Sequence, residues 1–299
     1  MLIFVLDGLK YGNAYIRGIL PVKGMESHKV DAKYVVANQF DPTSVSRDDV
    51  VVFVKYDRLS QSKIVKDTGA RVVMDVVDSK KHWKQHRDYI DALIVNTKSQ
   101  IEIIKRRDSF DKPIMKIPHI ITNFHDDMKG QTRKEIPSKL STIGYLGVPE
   151  TFTNMPAFRE FCAKNGFIWK TEQPSIDTNE LHTLQIDLGC IHYTGDVERV
   201  GGTLTISKPS AKLINLFSYG IPALFTPYES YLDEIGNSNY TDLLWGCCNT
   251  PSAMFDKVNI LKDNMDFYRD LSDQAYDMSR KYHVSNTVEI YRDLIEYVG

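Results

Sequence analysis

The sequence predicts an α/β protein made of two doubly wound domains, each a parallel sheet covered by helices on both faces. Three observations carry that expectation. Short apolar runs of strand length alternate with longer segments of helical pattern, the alternation stops in one polar stretch and then restarts, and 299 residues is about the length of two ordinary domains.

In chain order, Leu2 to Leu6, Tyr34 to Ala37, Val50 to Val54, Arg71 to Met74 and Ala92 to Val95 read as strands. They are apolar throughout rather than alternating, which is what a sheet buried on both faces requires. Ser60 to Thr68 and Lys98 to Arg107 read as helices. In the second, Ile101, Ile103 and Ile104 form an apolar face against Lys105, Arg106 and Arg107. From Asn123 to Lys139 there is no hydrophobic period, and Gly130 and Pro137 interrupt the chain, so the domain boundary is placed here. Residues 1–130 form the first domain and 139–283 the second. The second pattern runs strand Thr142 to Leu146, helix near Asn154 to Lys164, strand Phe167 to Lys170, helix near Thr178 to Leu184 and strand Asp187 to His192. Helix Ser210 to Tyr219 and strand Pro222 to Thr226 follow, and the end of the chain reads as two helices broken at His283 to Ser285. The halves match in pattern, without an internal sequence repeat.

Composition narrows the function. Lys+Arg 37 against Asp+Glu 39 leaves a formal charge of -2, so no global basic field exists to hold nucleic acid. The opening apolar run has no basic residue before it and breaks at Asp7, too soon for a signal peptide, and no other apolar run nears the roughly 20 residues of a membrane span. A cytoplasmic location is expected. Cys162, Cys190, Cys247 and Cys248 show no C-x-x-C spacing and read as reduced thiols, with neither a disulfide framework nor a zinc site. His82 and His86 are four apart but lack a third ligand at a recognisable spacing, so they read as a solvated helix face. Between Ser79 and Lys116 ten Lys/Arg face five acids; this too reads as solvated surface, with at most peripheral membrane contact.

Ligands of open parallel sheets bind beyond the carboxyl ends of the strands. Those ends carry Asp7-Gly8, Asp75 with Asp78, Gly144 to Gly147, and Tyr193 to Arg199. The richest segment is Ser207 to Lys212. Pro209 and Ser210 start a helix, Leu213, Ile214, Leu216 and Phe217 give it a buried face, and Gly220-Ile221-Pro222 ends it. Lys208 and Lys212 thus flank a helix amino terminus, where cations oppose the dipole by about 0.3–1 kcal/mol each unless an anion occupies the spot. A phosphate or diphosphate fits.

The string from Lys208 to Phe225 resembles the donor-binding helix of GT-B glycosyltransferases of the family-4-like group. Arg71 to Asp78, Ala92 to Thr97, Ile117-Pro118 and Thr142 to Gly147 are similar to other segments of that fold. The resemblance implies two Rossmann-like domains facing across a cleft, with residues 284–299 crossing back to the first domain. It implies a nucleoside-diphosphate-sugar donor in the second domain and a glycan or other hydroxyl acceptor in the first. Lys208, Ser210, Lys212 and Gly147 then contact the donor, joined by Glu198 and Arg199. Retaining members often carry two glutamates eight positions apart; here Ser207 and Asn215 stand there.

An inverting route needs a base at a strand end of the first domain, for which Asp78 and then Asp7 are the candidates; a turn or helix cap is the other role for each. No catalytic metal and no other cofactor is expected. An NAD-dependent oxidoreductase is disfavoured because Asp7 to Asn13 lacks G-x-G-x-x-G. The remaining alternative is a non-catalytic GT-B-fold protein that binds a nucleotide or glycan.

Overall fold

A computed structural model describes residues 1–9, 12–55, 59–77, 82–122, 131–172, 184–192, 198–200, 203–205 and 210–298. The chain divides into two compact units, Met1–Ile120 with Tyr282–Gly299, and Ile121–Ile206 with Ser210–Lys281.

The first unit opens with β1 (Leu2–Leu6), which leads through α1 (Gly12–Ala14) and a π-helical turn (Tyr15–Ile19) into α2 (Leu20–Ser27). Then come β2 (Ala32–Val36), β3 (Val50–Val54), α3 (Leu59–Asp67), β4 (Arg71–Asp75), a 3-10 turn (His82–His86), β5 (Ala92–Val95), α4 (Lys98–Asp108) and β6 (Ile114–Lys116). The strands form one parallel sheet in the order β2-β1-β3-β4-β5-β6. Period-2 alternation sends Leu2, Phe4, Leu6, Val50, Val52 and Val54 to one core, with Val22 and Met25 of α2. Ile3, Val5, Val51, Phe53, Val72 and Met74 enter the opposite core, with Val65, Trp83 and Ile104. Residues of both parities are therefore apolar. Thr97 caps α4 through a reciprocal pairing with Gln100. His86, which reads as solvated in the sequence, is buried with Nδ1 2.8 Å from the Ser62 hydroxyl, because its turn packs under α3.

The second unit contains β7 (Thr142–Leu146), a 3-10 turn (Pro149–Thr151), α5 (Met155–Asn165), β8 (Ile168–Glu172) and β9 (Leu188–Ile191). A short antiparallel ribbon, β10 (Glu198–Val200) and β11 (Thr203–Thr205), precedes α6 (Ala211–Ser218), β12 (Ala223–Phe225) and α7 (Glu229–Gly236). A 3-10 turn (Thr241–Gly246), α8 (Pro251–Asp263) and α9 (Met265–Ser279) complete the unit. Its sheet is parallel, in the order β12-β9-β7-β8. A Cβ at Gly189 would lie 2.4 Å from Leu216 Cδ1, so the glycine lets α6 seat directly on β9. The helix expected near 178–184 falls largely outside the described residues.

The described part of the polar connector, from Gln131 on, is bonded to the second unit. Gln131 Nε2 donates to Ser279 Oγ at 2.9 Å, its carbonyl accepts from the Tyr276 hydroxyl at 3.0 Å, and the Lys134 N–H donates to Tyr219 O at 2.9 Å. Lys134 Nζ and Asp187 Oδ1 form an ion pair at 2.7 Å, while Asp187 also accepts from the Ser141 and Thr142 amides. Burial raises the Asp187 pKa, and the Lys134 and Ser141 hydrogen bonds outweigh it, holding the carboxyl below its ordinary value. Apolar period cannot reveal these ties, since each is a hydrogen bond or an ion pair rather than an apolar contact.

The last helix, α10 (Val284–Val298), belongs to the first unit. Val288, Tyr291 and Leu294 enter the core beneath β1, and Arg292 Nη2 donates to His28 O at 3.1 Å. The close approach rests on Gly24 of α2, where a Cβ would lie 2.4 Å from Val284 Cγ2. Gly24→Ala should therefore lower stability by about 1–2 kcal/mol, because overpacking exceeds the gain in helix propensity. Urea unfolding measures this, and Val284→Ala in the same background should recover part of the loss. Unchanged stability of the single variant would show that α10 is not seated on this glycine.

Candidate functional site

At the carboxyl end of β7 the chain turns at Gly147, whose φ of +144° suits only glycine. Its N–H donates to Glu172 O at 2.8 Å, so this amide is committed to the sheet. The open side of Gly147 is filled by Lys212: a Cβ there would lie 2.7 Å from Lys212 Cε and 2.9 Å from Nζ. Lys212 comes from the first turn of α6, where the buried N-cap residue Ser210 makes no side-chain capping bond. Lys212 Nζ donates to the Tyr145 hydroxyl and to Thr151 Oγ1, the latter at 3.3 Å. Gly147 and Lys212, drawn from separate stretches of sequence, thus meet at one strand end, and Ser210 lies at the start of the helix that carries Lys212. Lys208 lies outside the described residues. Glu198 and Arg199 have their backbones in β10, opposite Thr205 and Leu204, and their side chains are outside the described structure.

Two polar residues beside this point are structural. Asn215 Oδ1 accepts from the N–H and hydroxyl of Thr122 at 2.8 and 2.9 Å, and its Nδ2 donates to Ala211 O at 2.8 Å. His192, buried at the end of β9, has Nδ1 3.1 Å from Thr153 Oγ1, and burial lowers its pKa.

In the first unit, Asp7 is exposed just beyond β1, and Asp78 lies outside the described residues. Asp75 is the counter-ion of a buried arginine. Arg17 Nε donates to Asp75 Oδ2 at 2.7 Å; Nη2 lies 2.7 Å from the same oxygen without a well-formed hydrogen bond, and Nη1 donates to Ile117 O and Pro118 O at 2.8 and 2.9 Å. Removing one partner of such a pair costs about 3–5 kcal/mol. After Asp75, Val77 is held at φ +51°, a costly conformation for a β-branched residue. Asn96 Nδ2 and Gln100 Nε2 fix it by donating to Val77 O at 2.7 and 2.8 Å.

Solved structures identify the fold. Sucrose-phosphate synthase from Thermosynechococcus elongatus is similar with a TM-score of 0.61 over 99% of this chain and 99% of that chain, at 8% identity. The chain has the GT-B fold. A second structure with a similar fold is the pneumococcal O-GlcNAc transferase GtfA in complex with UDP and GlcNAc, at TM-score 0.55 and 11% identity over 85% of this chain and 57% of that chain. This chain therefore matches little more than half the length of GtfA. A trehalose-6-phosphate synthase analysed for glycosyl transfer with retention is similar at TM-score 0.54 and 9% identity, over 94% and 78% of the two chains. No protein-family model matches the sequence, and no curated protein matches it. In the GT-B fold seen here, the second unit presents Lys212 and Gly147 at a strand end, whereas the carboxylate that ends β4 is consumed by Arg17.

Sequence reading misses Thr151, and it assigns no role to Tyr145 although it singles out the segment Gly144 to Gly147. Tyr145 sits in a strand read for its apolar content, and nothing local reveals where its hydroxyl points. His119 is missed as well. It is buried beside Arg17 with both ring nitrogens unpartnered, and burial followed by the Arg17 charge holds its pKa well below the ordinary value. Its unfolded form takes up a proton first as the pH drops, so stability is lost as the pH falls through about 6.5, the ordinary histidine value. Burial lowers His192 and His283 in the same direction. Between pH 7.5 and 5.5, His119→Leu should lose less stability than the wild type in urea titrations. An identical pH slope in the two proteins would show His119 protonated or solvated in the folded chain.

Proposed function

We propose that this protein is a glycosyltransferase that moves a sugar from a nucleoside-diphosphate-sugar donor to a glycan or other hydroxyl acceptor. The observation that carries this reading is the Lys212 ammonium, held across Gly147 at the amino end of α6. A leaving diphosphate needs cations and N–H donors at the departing oxygens, and an ammonium beside the first amides of a helix supplies both. Lys208 stands at the same helix start in sequence and is assigned to the same diphosphate, with Ser210, Glu198 and Arg199 as further donor contacts. The UDP and GlcNAc in the GtfA complex support a UDP-sugar as the first donor to try.

The acceptor is assigned to the first unit. Asp78 is the proposed base, because the strained and doubly hydrogen-bonded Val77 fixes the chain directly before it, and Asp7 is the second candidate. No divalent metal or other cofactor is assigned a role. Among the described residues no group of His, Cys, Asp and Glu is arranged to hold a metal ion, and no helix is long and apolar enough to cross a membrane. A cytoplasmic enzyme with at most peripheral membrane contact and no nucleic-acid partner fits this reading.

Lys208→Ala and Lys212→Ala should each weaken binding of UDP, or of whichever nucleoside diphosphate binds best, by about tenfold or more, since charge-assisted contacts contribute roughly 1.5–3 kcal/mol. Calorimetry reads this directly, and unchanged affinity in both would remove the assignment. Asp78→Asn should reduce turnover by about 10²–10⁴ with donor affinity held within about threefold, while Asp7→Asn tests the second candidate. Near wild-type turnover in both would place the base elsewhere, or leave the acceptor proton to the donor's own phosphate. A protein that binds the nucleotide but transfers nothing to any acceptor in a panel would favour the non-catalytic alternative.

A further inference from the structure

Lys212 is held by a directed chain of hydroxyl groups. Thr151 Oγ1 donates its one proton to Val148 O at 2.7 Å. The 2.6 Å contact between Tyr145 Oη and Thr151 Oγ1 therefore has tyrosine as the donor. With its proton turned toward Thr151, the Tyr145 oxygen presents its lone pairs to Lys212, whose ammonium donates to it and, at 3.3 Å, to Thr151 Oγ1. The Tyr145 side chain is itself immobilised, fully buried with its ring 4.9 Å from that of Phe152, and Gly147 leaves the space the ammonium needs beside it. A long lysine side chain loses rotamer freedom when fixed, so a preformed acceptor removes much of that cost from the binding step.

We propose that Tyr145, oriented by Thr151, is a positioning residue that fixes the Lys212 ammonium at the amino end of α6 for a diphosphate. The inference rests on the donor site proposed above. Tyr145 acts through Lys212 and makes no contact of its own with the reacting atoms.

The test is a double-mutant cycle on the full chain, read by calorimetric binding of UDP, GDP and inorganic pyrophosphate. Tyr145→Phe keeps the ring packing and removes one hydroxyl. It should leave the thermal midpoint near that of the wild type and weaken binding of the best probe by about three- to tenfold. In a Lys212→Ala background the same substitution should change affinity by less than about twofold, because the group it positions is gone. Thr151→Val, at an exposed position, should act in the same direction and also fall silent without Lys212, which keeps the test available if Tyr145→Phe folds poorly. Wild-type affinity in Lys212→Ala would remove Lys212 from the donor site and the positioning role with it, and wild-type affinity in Lys208→Ala as well would overturn the donor-site reading itself. Loss in Lys212→Ala with wild-type affinity in both Tyr145→Phe and Thr151→Val would overturn only the positioning role. Equal losses from Tyr145→Phe with and without Lys212 would also overturn it, since the tyrosine would then act independently of the lysine.

Discussion

Both faces of the interior strands in these sheets must be covered by apolar side chains, and the rest of the structure follows from that demand. Leu2 to Leu6 and Val50 to Val54 bury every residue, so no polar side chain along those strands is available for chemistry. At roughly 25 cal/mol per Å² of apolar surface, such burial is the main favourable contribution to folding each unit. Polar function is thereby pushed to the strand ends and the helix starts that follow them.

The two units use their strand ends differently. In the first, the carboxylate that ends β4 faces a guanidinium in a dry interior, and the pair ties the π-helical turn after β1 to the segment that follows β6. Burial raises the Asp75 pKa and the Arg17 charge opposes it, so the two groups are held as partners by their shared isolation from water. Asp75 is in consequence a structural acid, though its position in sequence matches that of a base. In the second unit the acid that follows β7, Glu150, is exposed in the 3-10 turn beyond the strand end. The strand end itself offers a glycine turn, a tyrosine hydroxyl and a lysine from α6, a set suited to an anion.

The position of Asn215 shows how one substitution changes a residue's work. A glutamate there would bring a charge to the inner side of α6. The carboxamide instead accepts twice from Thr122 and returns a proton to Ala211 O, fastening the start of the connector to the helix that carries Lys212. From Gln131 on, the connector is tied to the second unit by polar contacts: Gln131 bonds to Tyr276 and Ser279, and Lys134 to Tyr219.

Much of the fold was legible in the residues. The strands at Leu2 to Leu6, Val50 to Val54, Ala92 to Val95 and Thr142 to Leu146 lie where the apolar runs place them, and α6 begins beside Ser210 as its turn residues require. Periodicity conveys these because each depends on burial of a contiguous stretch. The three-residue strands β6, β10 and β11 lack the contiguous apolar run that marks the equally short β12, and the sequence does not reveal them. Of the site, the sequence determined Lys212 at a helix start and Gly147 at a strand end. Their meeting, the Tyr145 hydroxyl that reaches Lys212 from 67 positions away, and the pairing of Asp75 with Arg17 across 58 were decided only by the tertiary structure. A side chain's partner at a strand end depends on which strands lie adjacent in the sheet and on how the crossover helices return, and neither quantity is written in the local pattern of the chain.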